Sequence, residues 1–250
     1  SIPDTPAVDP ELRINWNAVQ ETWRIVGYAR KDRSVFLAVI GISWVWFFGS
    51  VMTLQIPAYT LDILNGNEEV TTILLVAFAV GVGIGALLCE RLSGHRIELG
   101  LVPLGSLGLT IVAIDLYFAQ TTKHPLVVTT LGELLARPGS IRVLVDLALL
   151  GAFGGLYSVP LYAMIQERAN RQHLSRIIAA NNIINSLFIV SAAGMALTLL
   201  NAGLTIPELF LALACLNGVV AARIFIGVPE FAQRFFSWIR GKAGNAAERD

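Results

Sequence analysis

Six stretches of the chain carry no charged side chain: Ser34 to Leu61, Val70 to Cys89, Leu99 to Ile114, Leu147 to Gln166, Ile177 to Pro207 and Leu209 to Ala222. Within them apolar residues occupy every face of a helix rather than one stripe, which leaves no side for water. A helix needs about 20 mostly apolar residues to cross a hydrocarbon core about 30 Å thick. The pattern predicts six transmembrane helices, over residues 35–57, 70–89, 99–119, 143–165, 177–200 and 206–227. Membrane strands are excluded as the better reading, because they alternate strictly and are shorter.

The ends read differently. Residues 1–15, SIPDTPAVDPELRIN, are rich in Pro and Asp and suit a linker. Trp16, Val19, Trp23 and Val26 then recur at helical spacing, with Glu21, Arg24 and Arg30 on other faces, as in an amphipathic helix at a membrane interface. After Pro229, a favoured first helical residue, Phe231, Phe235 and Trp238 share a face opposite Gln233, Arg234 and Arg240. The last ten residues are small and polar, as in a disordered tail. The expected organisation is a cytoplasmic linker and amphipathic helix over 1–33, a six-helix bundle over 34–228, and a second amphipathic helix with a tail over 229–250. The third loop is the long one, and Leu126 to Ala136 is apolar enough for a short helix on the outer surface.

Composition agrees with this all-α membrane protein. Of 250 residues, 55% are apolar and 14% charged, whereas a soluble domain carries roughly a quarter charged residues to keep its surface wetted. The formal net charge of zero conceals a sided distribution. Six spans put both termini in one compartment, which receives 15 of the 18 Lys and Arg residues and leaves Lys123, Arg137 and Arg142 for the other. That asymmetry places both ends in the cytoplasm. It also accounts for the basic clusters through topology and membrane lipid headgroups, without nucleic acid.

Catalytic constellations are missing. His95, His124 and His173 all fall in loops, none spaced with another for a metal, and no histidine lies within a span to serve Ser106 as a base. Neither an enzyme nor a cofactor is expected. Cys89 and Cys215 read as free thiols. Gly81-x-Gly83-x-Gly85 sits inside a span without the strand that a nucleotide-binding loop requires. Small residues four apart instead let helices approach closely in lipid, which makes Gly81 with Gly85 and Gly151 with Gly155 expected helix contacts.

Polar residues within the spans are the candidate site, because a group that leaves water must find a partner or line a wet cavity. Asn181 and Asn185 share a face of span five with Asn182 beside it, an amide stripe equally suited to substrate contact or to hydrogen bonding between helices. Gln55 and Asn217 are lone polar groups, more often links between helices than ligands. Asp115 and Asp146 fall near the outer ends, where solvation or pairing is expected. On the opposite side, Glu90 and Arg91 with Arg96, and Glu167 and Arg168 with Arg171 and Arg176, place acid beside base at helix ends. Such pairs can latch neighbouring helices and hold a gate in one conformation.

The segment GALLCERLSGHR at 85–96 resembles the cytoplasmic loop motif of the major facilitator superfamily, with a glycine, an acid followed by a base, a glycine and a further base. GISWVWFFGS at 41–50, LLCERLSGHRIELGLVPLGSLG at 87–108 and VPLYAMIQERANRQHLSRIIAANNIINSLF at 159–188 resemble the C-terminal half of bacterial lysophospholipid transporters of that superfamily, including forms fused to acyltransferase and acyl-carrier-protein synthetase domains. The likeness runs from about Ile14 to Pro229. It implies half of a twelve-helix bundle, with residues 1–33 as the central linker and six further helices preceding them, an expectation in keeping with a first residue Ser1 rather than Met. It also implies alternating-access movement of lysophospholipid across a bacterial inner membrane. Asn181, Asn182, Asn185 and Gln55 would meet substrate, and Glu90, Arg91, Arg96, Glu167, Arg168 and Arg176 would form the cytoplasmic gate. The partner would be an N-terminal six-helix half or a second membrane subunit. Two other functions fit the residues: export of drugs or metabolites by another member of the superfamily, and a non-transporting six-helix subunit of a larger membrane complex.

Overall fold

A computed structural model describes residues 18–94, 97–119 and 130–247. Nine α-helices occur among them: α1 (Ala18–Arg30), α2 (Arg33–Asp62), α3 (Glu68–Ser93), α4 (Leu101–Phe118), α5 (Leu131–Ala136), α6 (Ser140–Arg168), α7 (Leu174–Asn201), α8 (Ile206–Gly227) and α9 (Pro229–Ala247). No strand occurs in the described residues. Six of the helices, α2, α3, α4, α6, α7 and α8, are long and apolar enough to cross a membrane, and they coincide with the six expected spans. The architecture is that of a multi-pass membrane protein.

Local chemistry sets where these helices begin and end. Asp32 caps α2 by accepting from the backbone N–H of Ser34 at 2.7 Å and of Val35 at 3.2 Å. Asn67 does the same for α3 through Val70 N–H, and Gly94 closes α3 in the left-handed region at φ 60°. Thr205 and Glu208 form a reciprocal capping box at the start of α8, with Pro207 between them in its first turn. Several helices outrun the apolar stretch that announced them: α2 continues through Pro57 to Asp62, and α6 runs past Pro160 to Arg168.

Helix α6 is the central element, packed along α3 and α4 and touching α2. Against α3 the two backbones meet directly. A Cβ at Gly81 would overlap the Ala148 carbonyl, one at Gly85 that of Ala152, and one at Gly151 that of Phe78. Both expected contact pairs, Gly81 with Gly85 and Gly151 with Gly155, therefore lie at a close approach, and the structure makes α3 and α6 each other's partner. Gly105 and Gly108 of α4 similarly admit Phe153 and Tyr157 of α6. Helix α2 packs on the opposite side against α7 and α8. Two large apolar cores result, one around Phe48, Met52, Tyr59, Leu147 and Phe210 and the other around Ile42, Tyr157, Leu161, Met164 and Ile224, beside a smaller one of Cys89, Leu101 and Leu156. Much of α3 and α7 stays uncovered, Leu87 and Val190 being 66% and 71% exposed.

The arginine-rich loops gather at one end of the bundle. There Trp238 of α9 donates to the Leu92 carbonyl at 3.3 Å, Gly100 fits against the backbone of Arg234, and Arg176 of α7 reaches Tyr28 of α1. At the other end Arg137 donates to the Leu64 carbonyl at 3.1 Å and Arg142 pairs with Asp115. The short helix expected over 126–136 is seen as α5 from Leu131, its earlier part lying outside the described residues.

Candidate functional site

A cleft of about 250 Å³ opens between α2, α3, α4 and α6. Its wall is mostly apolar, from Val45, Phe48, Phe78, Val82, Leu109 and Leu150, and Gly49 and Gly154 keep it open. A few polar groups face it: Ser50, Thr53, Ser158, the Trp46 indole and the Tyr162 hydroxyl. The Thr53 hydroxyl already donates to the Gly49 carbonyl at 2.9 Å, within its own helix. Trp46 Nε1 donates to Tyr162 Oη at 3.1 Å, tying α2 to α6 across the rim. An apolar cavity with a small number of placed polar groups is the usual form of a site for a small amphipathic molecule.

The amide stripe lies behind this wall rather than in it. Asn181 and Asn185 are buried at the α2–α7 contact, while Asn182 is exposed. Ser43 Oγ donates to the Val39 carbonyl at 2.9 Å and so presents a lone pair to Asn185. With the Asn185 amide oriented to satisfy both of its ends, Nδ2 donates to Ser43 Oγ at 2.7 Å and to the Asn181 carbonyl at 3.1 Å. Its Oδ1 accepts from Asn181 Nδ2 at 3.0 Å and from Trp46 Nε1 at 3.3 Å. The single Trp46 N–H is shared between Asn185 Oδ1 and Tyr162 Oη, so the amide relay from Asn181 through Asn185 ends on the indole at the cleft. Gln55 is half-buried on α2 and is not among the cleft-lining residues.

A second polar node joins α2, α4 and α8. Fully buried Asn217 accepts from Trp44 Nε1 at 2.7 Å and donates to the Ser106 carbonyl at 2.9 Å and Thr110 Oγ1 at 2.8 Å. It is the link between helices that its isolation in the sequence predicts.

The candidate gate residues are distributed along the arginine-rich end. Glu90 and Arg91 occupy the exposed last turns of α3, and Glu167 is exposed on α6. Arg96 lies outside the described residues. Arg168 turns to α9, where its Nη2 meets Glu230 Oε1 at 2.7 Å and Oε2 at 2.9 Å, and Arg234 Nε adds a bond to Glu230 at 2.9 Å. The hydrogen bond from the Arg168 guanidinium holds the Glu230 carboxyl below the usual carboxylate range. Arg176 Nη1 donates to Tyr28 Oη at 2.9 Å. So two of the gate arginines are engaged with the terminal helices. Nothing in the sequence marks Glu230 or Tyr28 as their partners. Acid and base 62 residues apart leave no local spacing to read, whereas Trp46 had one clue: an indole N–H in an oily run must find an acceptor.

At the far end, Arg142 Nε meets Asp115 Oδ2 at 2.9 Å, which pairs one of the two outer aspartates. Asp146, one turn along α6, is buried with Oδ2 unpartnered among the described residues. Cys89 and Cys215 are both free. Among the described residues no group of His, Cys, Asp and Glu is placed to hold a metal ion. No family model, curated protein or solved structure matches the chain.

Proposed function

We propose that this chain is a six-helix half of an alternating-access transporter of the major facilitator type. It moves a lysophospholipid across a bacterial inner membrane with both termini in the cytoplasm. The supporting observation is the largely apolar cleft between α2, α3, α4 and α6 with the Trp46–Tyr162 hydrogen bond on its rim. One acyl chain asks for an apolar wall, and a zwitterionic headgroup asks for a few neutral hydrogen-bonding groups, which is the chemistry this cleft offers. The exposed apolar surfaces of α3 and α7 leave room for a second six-helix half to complete the path. The Arg168–Glu230 pair and the Arg176–Tyr28 bond act as cytoplasmic latches, and the amide relay tunes how α7 sits against α2. Glu90, Arg91, Arg96 and Glu167 belong to the same gate.

The test is uptake of a fluorescent lysophospholipid by cells expressing the full-length protein. Trp46→Phe and Tyr162→Phe keep the cleft's shape and remove its rim bond, so each should reduce uptake several-fold while leaving the protein level unchanged. Uptake equal to that of the parent in both variants removes the cleft from the transport path. Uptake no greater than in cells without the protein rejects lysophospholipid transport and favours the exporter or subunit reading.

A further inference from the structure

The arginine-rich end holds a second cleft, also of about 250 Å³, where the α1–α2 junction meets the turn between α6 and α7. Tyr28, Lys31, Asp32, Arg168 and His173 line it. Its chemistry is unlike that of the apolar cleft: three side chains capable of positive charge converge on a phenol. Lys31 Nζ sits 5.0 Å from the centre of the Tyr28 ring, the Arg176 guanidinium 5.2 Å from it, and the His173 ring 4.4 Å.

The charges here are incompletely balanced. Arg168 is neutralised by Glu230, and the Asp32 carboxylate, which caps the first N–H groups of α2, offsets one of the remaining cations. Lys31 and Arg176 have no carboxylate partner among the described residues. Because Tyr28 Oη accepts from Arg176, its own hydroxyl proton is free to donate. His173 Nδ1 is buried and without a hydrogen-bond partner among the described residues.

Position identifies the source of the counter-ion. Lys31 and Asp32 directly precede Arg33, the first residue of α2, and Arg168 is the last residue of α6. Groups at the ends of membrane-crossing helices lie in the headgroup layer. Basic pockets between helices at that depth take lipid phosphates.

We propose that this cleft binds a phosphate ester anion, the headgroup phosphate of an anionic phospholipid, through Lys31, Tyr28 and His173 with Arg176 behind the ring. The bound phosphate bridges α1 to α2 and α7. This site is separate from the apolar cleft and stands whether or not the chain transports lysophospholipid.

The experiment reconstitutes the full chain in nanodiscs of phosphatidylglycerol and phosphatidylcholine and counts retained lipids by native mass spectrometry. One phosphatidylglycerol should remain in preference to phosphatidylcholine. Lys31 is exposed, so Lys31→Gln leaves folding intact, and retention should fall roughly fivefold; Lys31→Gln with Arg176→Gln should lower it roughly thirtyfold. Arg223→Gln with Arg240→Gln removes the same charge from other exposed positions and should leave retention unchanged. Equal loss in that control, or undiminished retention in the Lys31 variants, overturns the site. A parallel titration of lipid-free protein with inorganic phosphate separates the two sources. Thermal stabilisation that Lys31→Gln removes would assign the cleft to soluble phosphate as well, and no stabilisation beside selective lipid retention assigns it to the headgroup. Absence of both overturns the proposal.

Discussion

Arg168, on the last turn of α6, places one guanidinium nitrogen within 2.7 and 2.9 Å of the two carboxylate oxygens of Glu230 on α9. The pair fastens a helix outside the bundle to the central helix within it. Trp238 and Arg234 extend the attachment to Leu92 and Ile97 at the end of α3 and the approach to α4.

The pair makes the docking of α9 sensitive to acid. Glu230 titrates lower in the folded protein than in the unfolded chain. Its stabilising contribution is therefore complete above the ordinary carboxylate value of about 4.3 and is lost as pH falls through the depressed folded value. Partial exposure screens the pair and limits it to about 1 kcal/mol. Hydrogen exchange of the α9 amides should accelerate below that window in the parent. In Glu230→Gln exchange should be faster at neutral pH and vary little with acid.

Asn217 should be the costliest single polar residue to truncate. Asn217→Ala removes three bonds to two helices, α2 and α4, and strands the Trp44 indole N–H in an apolar setting. Hydrogen bonds within membranes average below 1 kcal/mol each, so about 2 kcal/mol is expected for the node. Unfolding in a graded denaturing detergent measures it, and a loss no larger than that of Asn182→Ala contradicts the node's importance.

The α3–α6 contact makes a sharp prediction about neighbouring glycines. Gly81→Ala drives a methyl group into the Ala148 backbone, which has nowhere to go, while Gly83→Ala meets nothing within 4 Å. The first should destabilise by about 3 kcal/mol and the second by less than about 0.5 kcal/mol. Thermal inactivation of the two purified variants in the same detergent compares them directly.

The three asparagines should separate by function as they separate in space. Asn181→Ala and Asn185→Ala break the relay that ends on Trp46, so both should lower lysophospholipid uptake together with stability by about 1 kcal/mol. Asn182 is exposed, and Asn182→Ala should spare stability. A drop in uptake with Asn182→Ala alone would assign that side chain to the substrate path rather than to packing.

The pattern of charge-free runs was enough to place all six long helices, because length and unbroken hydropathy are the properties that lipid demands. Their ends were harder: Asp32 and Asn67 extend α2 and α3 past the apolar stretch through capping that hydropathy does not weigh. The spacing of Asn181 and Asn185 put them on one face, but which helix would face them depends on tertiary packing, so Ser43, Trp46 and Tyr162 stayed hidden among residues of similar kind. The glycine pairs were legible for the opposite reason. Two small residues four positions apart have few uses in lipid beyond close approach. Gln55 shows the limit of the same logic, since its lone polarity said nothing of its distance from the cleft.

The glycine seam between α3 and α6 also determines what can move. Two rods whose main chains lie in direct register resist sliding and splaying alike, so they travel as a single plank. Helix α7 has no such seam: it meets α2 through side chains, the Asn181, Asn185 and Ser43 bonds among them, and is bare along its outer side.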